Sequence, residues 1–195
     1  MGEKATSKKT AASNSRWNAV KKAIAEYDKT ALVGLIADLY DFSDKNKHFL
    51  HARFALGTDP LKPYKKIIFD ALNPDVMRNE PIRIAKGKQA ILDYAKAIGN
   101  PKGTLELMLY FVESGTRFTL EFGDIDENYY LSLERMYRKA IGLLQTFDKE
   151  SIDEYHNRFE RLVVSTKDIG WGYHDSLADI FYEAFPDENE ADPLR

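Results

Sequence analysis

PKGTLELMLYFVESGTRFTLEFG, residues 101–123, carries apolar side chains on more than one side of a helix. Leu105, Met108, Leu109, Val112 and Thr116 form one stripe at helical spacing, and Leu107, Phe111, Phe118 and Phe122 form another. A helix with two apolar faces belongs in the middle of a domain, with neighbours on several sides. Its limits are also written in the chain. Gly99-Asn100-Pro101 reads as a stop and a start, with Gly closing one helix, Asn capping the next and Pro at its first position. Gly123 ends it. A central helix over about 102–122 is therefore expected.

Working outward, the same period recurs on both sides. Trp17, Val20, Ile24 and Tyr27 make a first amphipathic face. Leu32, Leu35, Ile36, Leu39 and Phe42 make a second, with Asp28 or Thr30 able to cap it. A short third helix carries Phe49, Leu50 and Phe54. Thr58-Asp59-Pro60 supplies a cap for a helix through Tyr64, Ile67, Ile68 and Leu72, and residues 73–83 read as a loop. Ile84, Ile91, Tyr94, Ala95 and Ile98 precede the central helix; Tyr130, Leu133, Tyr137, Ala140, Ile141 and Leu144 follow it. Ser151 with Glu154 fits a capping box ahead of Tyr155, Phe159, Leu162 and Val163, and Leu177, Ile180, Phe181, Ala184 and Phe185 mark a last helix. No stretch alternates as a strand. The expectation is an all-α fold of about nine helices in a single domain over 17–185, either an antiparallel helical bundle or a short HEAT-like stack of helix pairs.

Composition bounds the function. The 195 residues hold 28 Lys and Arg against 31 Asp and Glu, a net charge of −3, which argues against a wholly basic nucleic-acid binder. Hydrophobic residues at 44% are enough for a packed core. The chain has no Cys, so disulfides, thiolate metal sites and cysteine nucleophiles are excluded. No apolar run reaches the ~20 residues of a membrane span. Residues 1–16, with four Lys or Arg and one Glu, read as a disordered basic arm without the features of an export signal, and 186–195 as a flexible acidic tail. A cytoplasmic protein is the expectation.

Three constellations carry polar groups in patterns that chemistry uses. Gly123-Asp124-Ile125-Asp126-Glu127 offers three acids beside a glycine, either for a hard cation or as caps for the following helix; it fails the EF-hand spacing. Gly170-Trp171-Gly172-Tyr173-His174-Asp175 places an indole between two glycines, then an aromatic, a titratable ring and a carboxylate at a helix start. Either those groups face an outside ligand, or Trp171 plugs the core and the rest satisfies local backbone. The third is the basic stretch 62–88, where Lys62, Lys65, Lys66, Arg78, Arg83, Lys86 and Lys88 outnumber three acids. His48 and His51 stand at i, i+3 with no third ligand at a matching offset. Phosphate-loop, dinucleotide, zinc-protease and serine-hydrolase signatures are missing.

Four longer segments carry a resemblance: LIADLYDFSDKNKHFLHARF at 35–54, LMLYFVESG at 107–115, GDIDENYY at 123–130 and IGWGYHDSLADIFYE at 169–183. On these the chain resembles a family of small bacterial all-helical proteins known as a domain of unknown function. The resemblance implies a helical domain in which the GDID-like and GWG-[FY]-HD-like segments share a surface, and it brings no reaction. The sequence reading is thus a non-enzymatic module that binds another protein, using Trp171, Tyr173, His174 and Asp175 with Asp124, Asp126 and Glu127. The first alternative is a nucleic-acid contact through 62–88, and the second a metal-dependent enzyme using Asp124, Asp126, His174 and Asp175. No cofactor, resident metal or membrane partner is assigned.

Overall fold

Asn100 starts the longest helix as its sequence predicts: its side-chain oxygen accepts from the N–H groups of Lys102 and Gly103, with Pro101 in the first turn. The structure, a computed structural model, describes residues 16–57 and 59–186. Among these residues the helices are α1 (16–24), α2 (Lys29–Phe42), α3 (Asp44–Arg53), α4 (Lys62–Leu72) and α5 (Ile84–Ile98), followed by α6 (Pro101–Phe122), α7 (Glu127–Leu144), α8 (Lys149–Ser165) and α9 (Tyr173–Ala184). A single 3-10 turn, Val76–Arg78, interrupts the loop before α5, and no strand occurs among the described residues. The fold is all-α. The arm and tail expected at 1–16 and 186–195 lie outside the described residues, apart from Arg16, which is helical, and Pro186.

Two helix starts differ from expectation. α4 opens at Lys62 with Pro63 in its first turn, while Asp59 accepts from the Leu61 N–H in the turn before it; Thr58 lies outside the described residues. α8 opens at Lys149 because Asp148 takes the cap, and Ser151 donates its N–H to Asp148 at 2.8 Å. An aspartate directly before the helix outcompeted a serine three residues later.

The chain divides into two compact units at Leu50 and His51, so the helical span expected over 17–185 has two parts. In the first, Asp28 caps α2 through the Ala31 N–H, and the Asn46 amide reaches back to the Leu39 carbonyl. No residue of α2 is buried: Val33, Ile36, Leu39 and Phe42 are exposed, as are Trp17 and Val20 of α1. The sequence periodicity here marks an apolar face that is not a core.

In the second unit α6 is central, packed against α4, α5, α7 and α8, while α9 closes on α7 and α8. Leu105, Leu107, Leu109, Phe111 and Val112 are wholly buried, so both stripes face neighbours; Phe122, at the end of the second stripe, is half exposed. Residues 101–184 form an up-down-up-down bundle. Lys102 pairs with Glu154 and Glu113 with Arg158, so α6 and α8 run in the same direction. Tyr130 meets Tyr173, and Gln145 bonds the Ala184 carbonyl, so α7 and α9 also run together. Consecutive helices are antiparallel, as short connections require. Gly115 allows α7 to approach closely: a Cβ there would lie 2.5 Å from a Leu133 methyl.

Half-buried charges join three helices. Lys65 of α4 bonds Glu106 of α6 at 2.8 Å, and Arg158 of α8 bonds both Glu106 and Glu113. Burial alone would raise the Glu106 carboxyl, but hydrogen bonds from Arg158 and Lys65 outweigh it and hold the group below the ordinary carboxylate value.

Candidate functional site

The loop after α6 and the loop after α8 meet at the same end of the bundle. α6 ends when Gly123 takes φ +93°, and Asp126 then caps α7 through the Tyr129 N–H at 3.0 Å. Between them Asp124 accepts the Tyr130 hydroxyl at 2.8 Å, and the same hydroxyl lies 2.6 Å from Thr119 Oγ1. Asp124 also faces the second loop, since a Cβ on Gly170 would stand 3.2 Å from its Oδ2. Gly170 thus admits the carboxylate by lacking a side chain. The Tyr130 ring continues the connection, with its centroid 5.2 Å from that of Tyr173.

The second loop divides its residues between core and solvent in a way the sequence did not anticipate. Trp171 is 58% exposed, so it does not plug the core. It sits at φ +62°, a left-handed conformation that costs a non-glycine residue about 1 kcal/mol or more. Gly172 follows at φ +65° and starts α9 without a side-chain cap. Tyr173, expected on an outward-facing turn, is the residue that fills the core. It is 2% exposed, its hydroxyl lies 2.9 Å from Thr116 Oγ1, and burial pushes its phenol well above the ordinary value. Successive left-handed residues rotate the chain so that Tyr173 points inward while the indole before it points out.

His174 is also engaged. Its Nδ1 lies 3.0 Å from the Val163 carbonyl and 3.1 Å from Thr166 Oγ1. Thr166 already donates its hydroxyl to Val163, so the geometry suits His174 Nδ1 as the donor, closing the C-terminal turn of α8. Asp175 is exposed in the first turn of α9, and Glu127 is exposed in that of α7, both placed to favour the positive helix ends. The structure therefore brings Asp124 beside Gly170 but turns Asp126 to its cap and His174 to α8. Among the described residues no group of three or more His, Asp or Glu is placed to hold a metal ion.

The basic stretch is dispersed. Lys65 pairs with Glu106, Lys66 with Asp70 and Arg78 with Asp75, while Lys62, Arg83 and Lys86 are exposed. Lys88 stands apart: partial burial, then the nearby Arg135 and Lys139, lower its ammonium pKa.

Sequence reading missed a cleft between α6 and α8 of about 400 Å³, lined by Glu113, Thr116, Arg117 and Leu120 from α6 and by residues of α8 that include Arg158 and Arg161. Its signal was present in the chain. Glu106 and Glu113 are seven apart on one face of the apolar α6, and Arg158 and Arg161 are three apart on α8. No family model, curated protein or solved structure matches this chain.

Proposed function

We propose that this chain is a non-enzymatic helical module that seats a partner protein against Trp171. The observation carrying the reading is the indole itself, exposed and held in a left-handed backbone conformation beside residues that are fixed in place. Tryptophan is the side chain most enriched among interface residues that dominate binding energy, because it buries a large rigid surface at small entropic cost. Here Tyr173 and His174 are anchored just after the indole, and before it the Ile169 N–H donates to the Thr166 carbonyl, so the indole is presented on a rigid base. Exposed apolar residues at the ends of neighbouring helices, Phe122 of α6 and Val164 of α8, are of the kind that extends such a surface. In the first unit, the unburied face of α2 supports the same class of function.

The test is affinity capture from native lysate with the wild-type chain, Trp171→Ala and Phe54→Ala, with Phe54 an exposed apolar residue outside the two loops. A protein retained by wild type and Phe54→Ala but lost with Trp171→Ala supports the reading. Recovery of nucleic acid alone, or of the same proteins by all three chains, contradicts it.

A further inference from the structure

The α6–α8 cleft holds more positive charge than its own carboxylate can neutralise. Three arginines, Arg117, Arg158 and Arg161, line it with one acid, Glu113. Arg117 stands four residues after Glu113 on α6, the spacing at which such a pair ordinarily meets. Glu113 is committed elsewhere: both of its carboxylate oxygens accept from Arg158, at 3.0 and 2.9 Å. Arg158 in turn also donates from Nη1 and Nη2 to Glu106. The acid is thus committed to Arg158, and Arg117 is left over the Phe69 ring of α4 at 5.6 Å. Arg161 donates its Nε to the Asn157 carbonyl of its own helix, which orients the guanidinium and leaves its outer edge unused. Neither Arg117 nor Arg161 makes an ion pair among the described residues.

The rest of the lining is apolar. Leu120 and Leu162 contribute to a surface on which carbon dominates, and about 400 Å³ is the scale of a pocket for a metabolite-sized molecule. From this arrangement we infer that the cleft binds an organic oxyanion, with its carboxylate or phosphate gripped between Arg117 and Arg161 and its apolar body against Leu120 and Leu162. Guanidinium groups suit that task because their planar forks donate two parallel hydrogen bonds to either oxyanion. Arg158, braced by two carboxylates, fixes α8 against α6 and so sets the distance between the two free arginines. The inference does not depend on the Trp171 reading.

Calorimetric titration with naphthyl phosphate, naphthoate and naphthol separates the contributions. The expected result is saturable binding of at least one of the two anions at concentrations below about 1 mM, no saturation by naphthol, and weakening by about tenfold or more in both Arg117→Gln and Arg161→Gln. The tighter of the two anions identifies which oxyanion the arginines receive. Lys102→Gln, at an exposed cation near the start of α6, should leave affinity unchanged. Because Arg117 and Arg161 are exposed and lie on different helices, the two variants are independent checks, each accompanied by its melting temperature. Absence of saturation by either anion up to about 10 mM, naphthol binding as tightly as the anions, or unchanged affinity in both folded Gln variants overturns the assignment.

Discussion

Tyr130 donates its hydroxyl to Asp124 across 2.8 Å, and this bond ties the loop after α6 to the second residue pair of α7 beside Gly170. The same phenol lies within 2.6 Å of the buried Thr119 hydroxyl, so one oxygen serves a core helix and a surface loop. Tyr130→Phe keeps the ring against Tyr173 and removes both bonds together with the longer one accepted from the Ile125 N–H. It should cost about 1–2 kcal/mol, measured by chemical denaturation, with the larger effect expected because Thr119 is buried. Asp124→Ala should cost less, since that carboxylate is exposed.

Arg158 is the most consequential charged side chain for stability. Its replacement by Met leaves the half-buried Glu113 without an ion-pair partner and Glu106, only 17% exposed, with Lys65 alone. The expected loss is about 3 kcal/mol at neutral pH, the scale for stranding a half-buried charge.

Acid should reveal the same cluster. Glu106 titrates below its reference value of 4.5 in the folded chain, so its contribution is fully present above that pH and disappears as pH falls through the lower folded value. The gap in stability between wild type and Arg158→Met should therefore narrow as pH falls below 4.5, as measured by urea denaturation across pH.

Alkali acts on the aromatic core. Burial raises the Tyr64 phenol from 10.0 to about 12. Tyr129, Tyr137 and Tyr173 are pushed up further by burial. Phenols that stay protonated when folded but ionise when unfolded stabilise the fold below pH 10, and that contribution is lost as pH rises through the folded values. Stability should fall steadily above about pH 10, with an ultraviolet phenolate signal that lags until unfolding.

Gly115→Ala tests the close approach of α6 and α7. The added methyl meets a Leu133 methyl and the Tyr129 hydroxyl region, so the substitution should cost about 1–3 kcal/mol despite the better helix propensity of alanine. An unchanged melting temperature would show that the Leu133 side chain gives way without loss of packing.

The central helix was legible because a two-sided apolar pattern, an Asn-Pro start and a Gly stop leave few alternatives for residues 101–123. The 169–175 segment was legible as a special turn but not in its orientation. A pattern of Gly-Trp-Gly-Tyr cannot say which aromatic turns inward, since that depends on positive φ at both Trp171 and Gly172. Of the cleft, only the spacings of Glu106 with Glu113 and of Arg158 with Arg161 were legible. Its charge follows from Glu113 choosing Arg158 on another helix over Arg117 on its own, a tertiary preference that no local spacing encodes. The unburied face of α2 shows the converse: periodicity predicts an apolar stripe and is silent about what covers it.

Trp171 is held outward for recognition and not for folding in the function proposed above, and Trp171→Gly tests this most directly. Glycine accepts φ +62° without strain, which offsets the lost contacts of a half-exposed ring. Denaturation of this variant should give a stability within about 1 kcal/mol of wild type, with the captured partner lost in the parallel binding assay. A stability loss of about 3 kcal/mol or more, the cost of truncating a buried tryptophan, or full retention of the partner would contradict it.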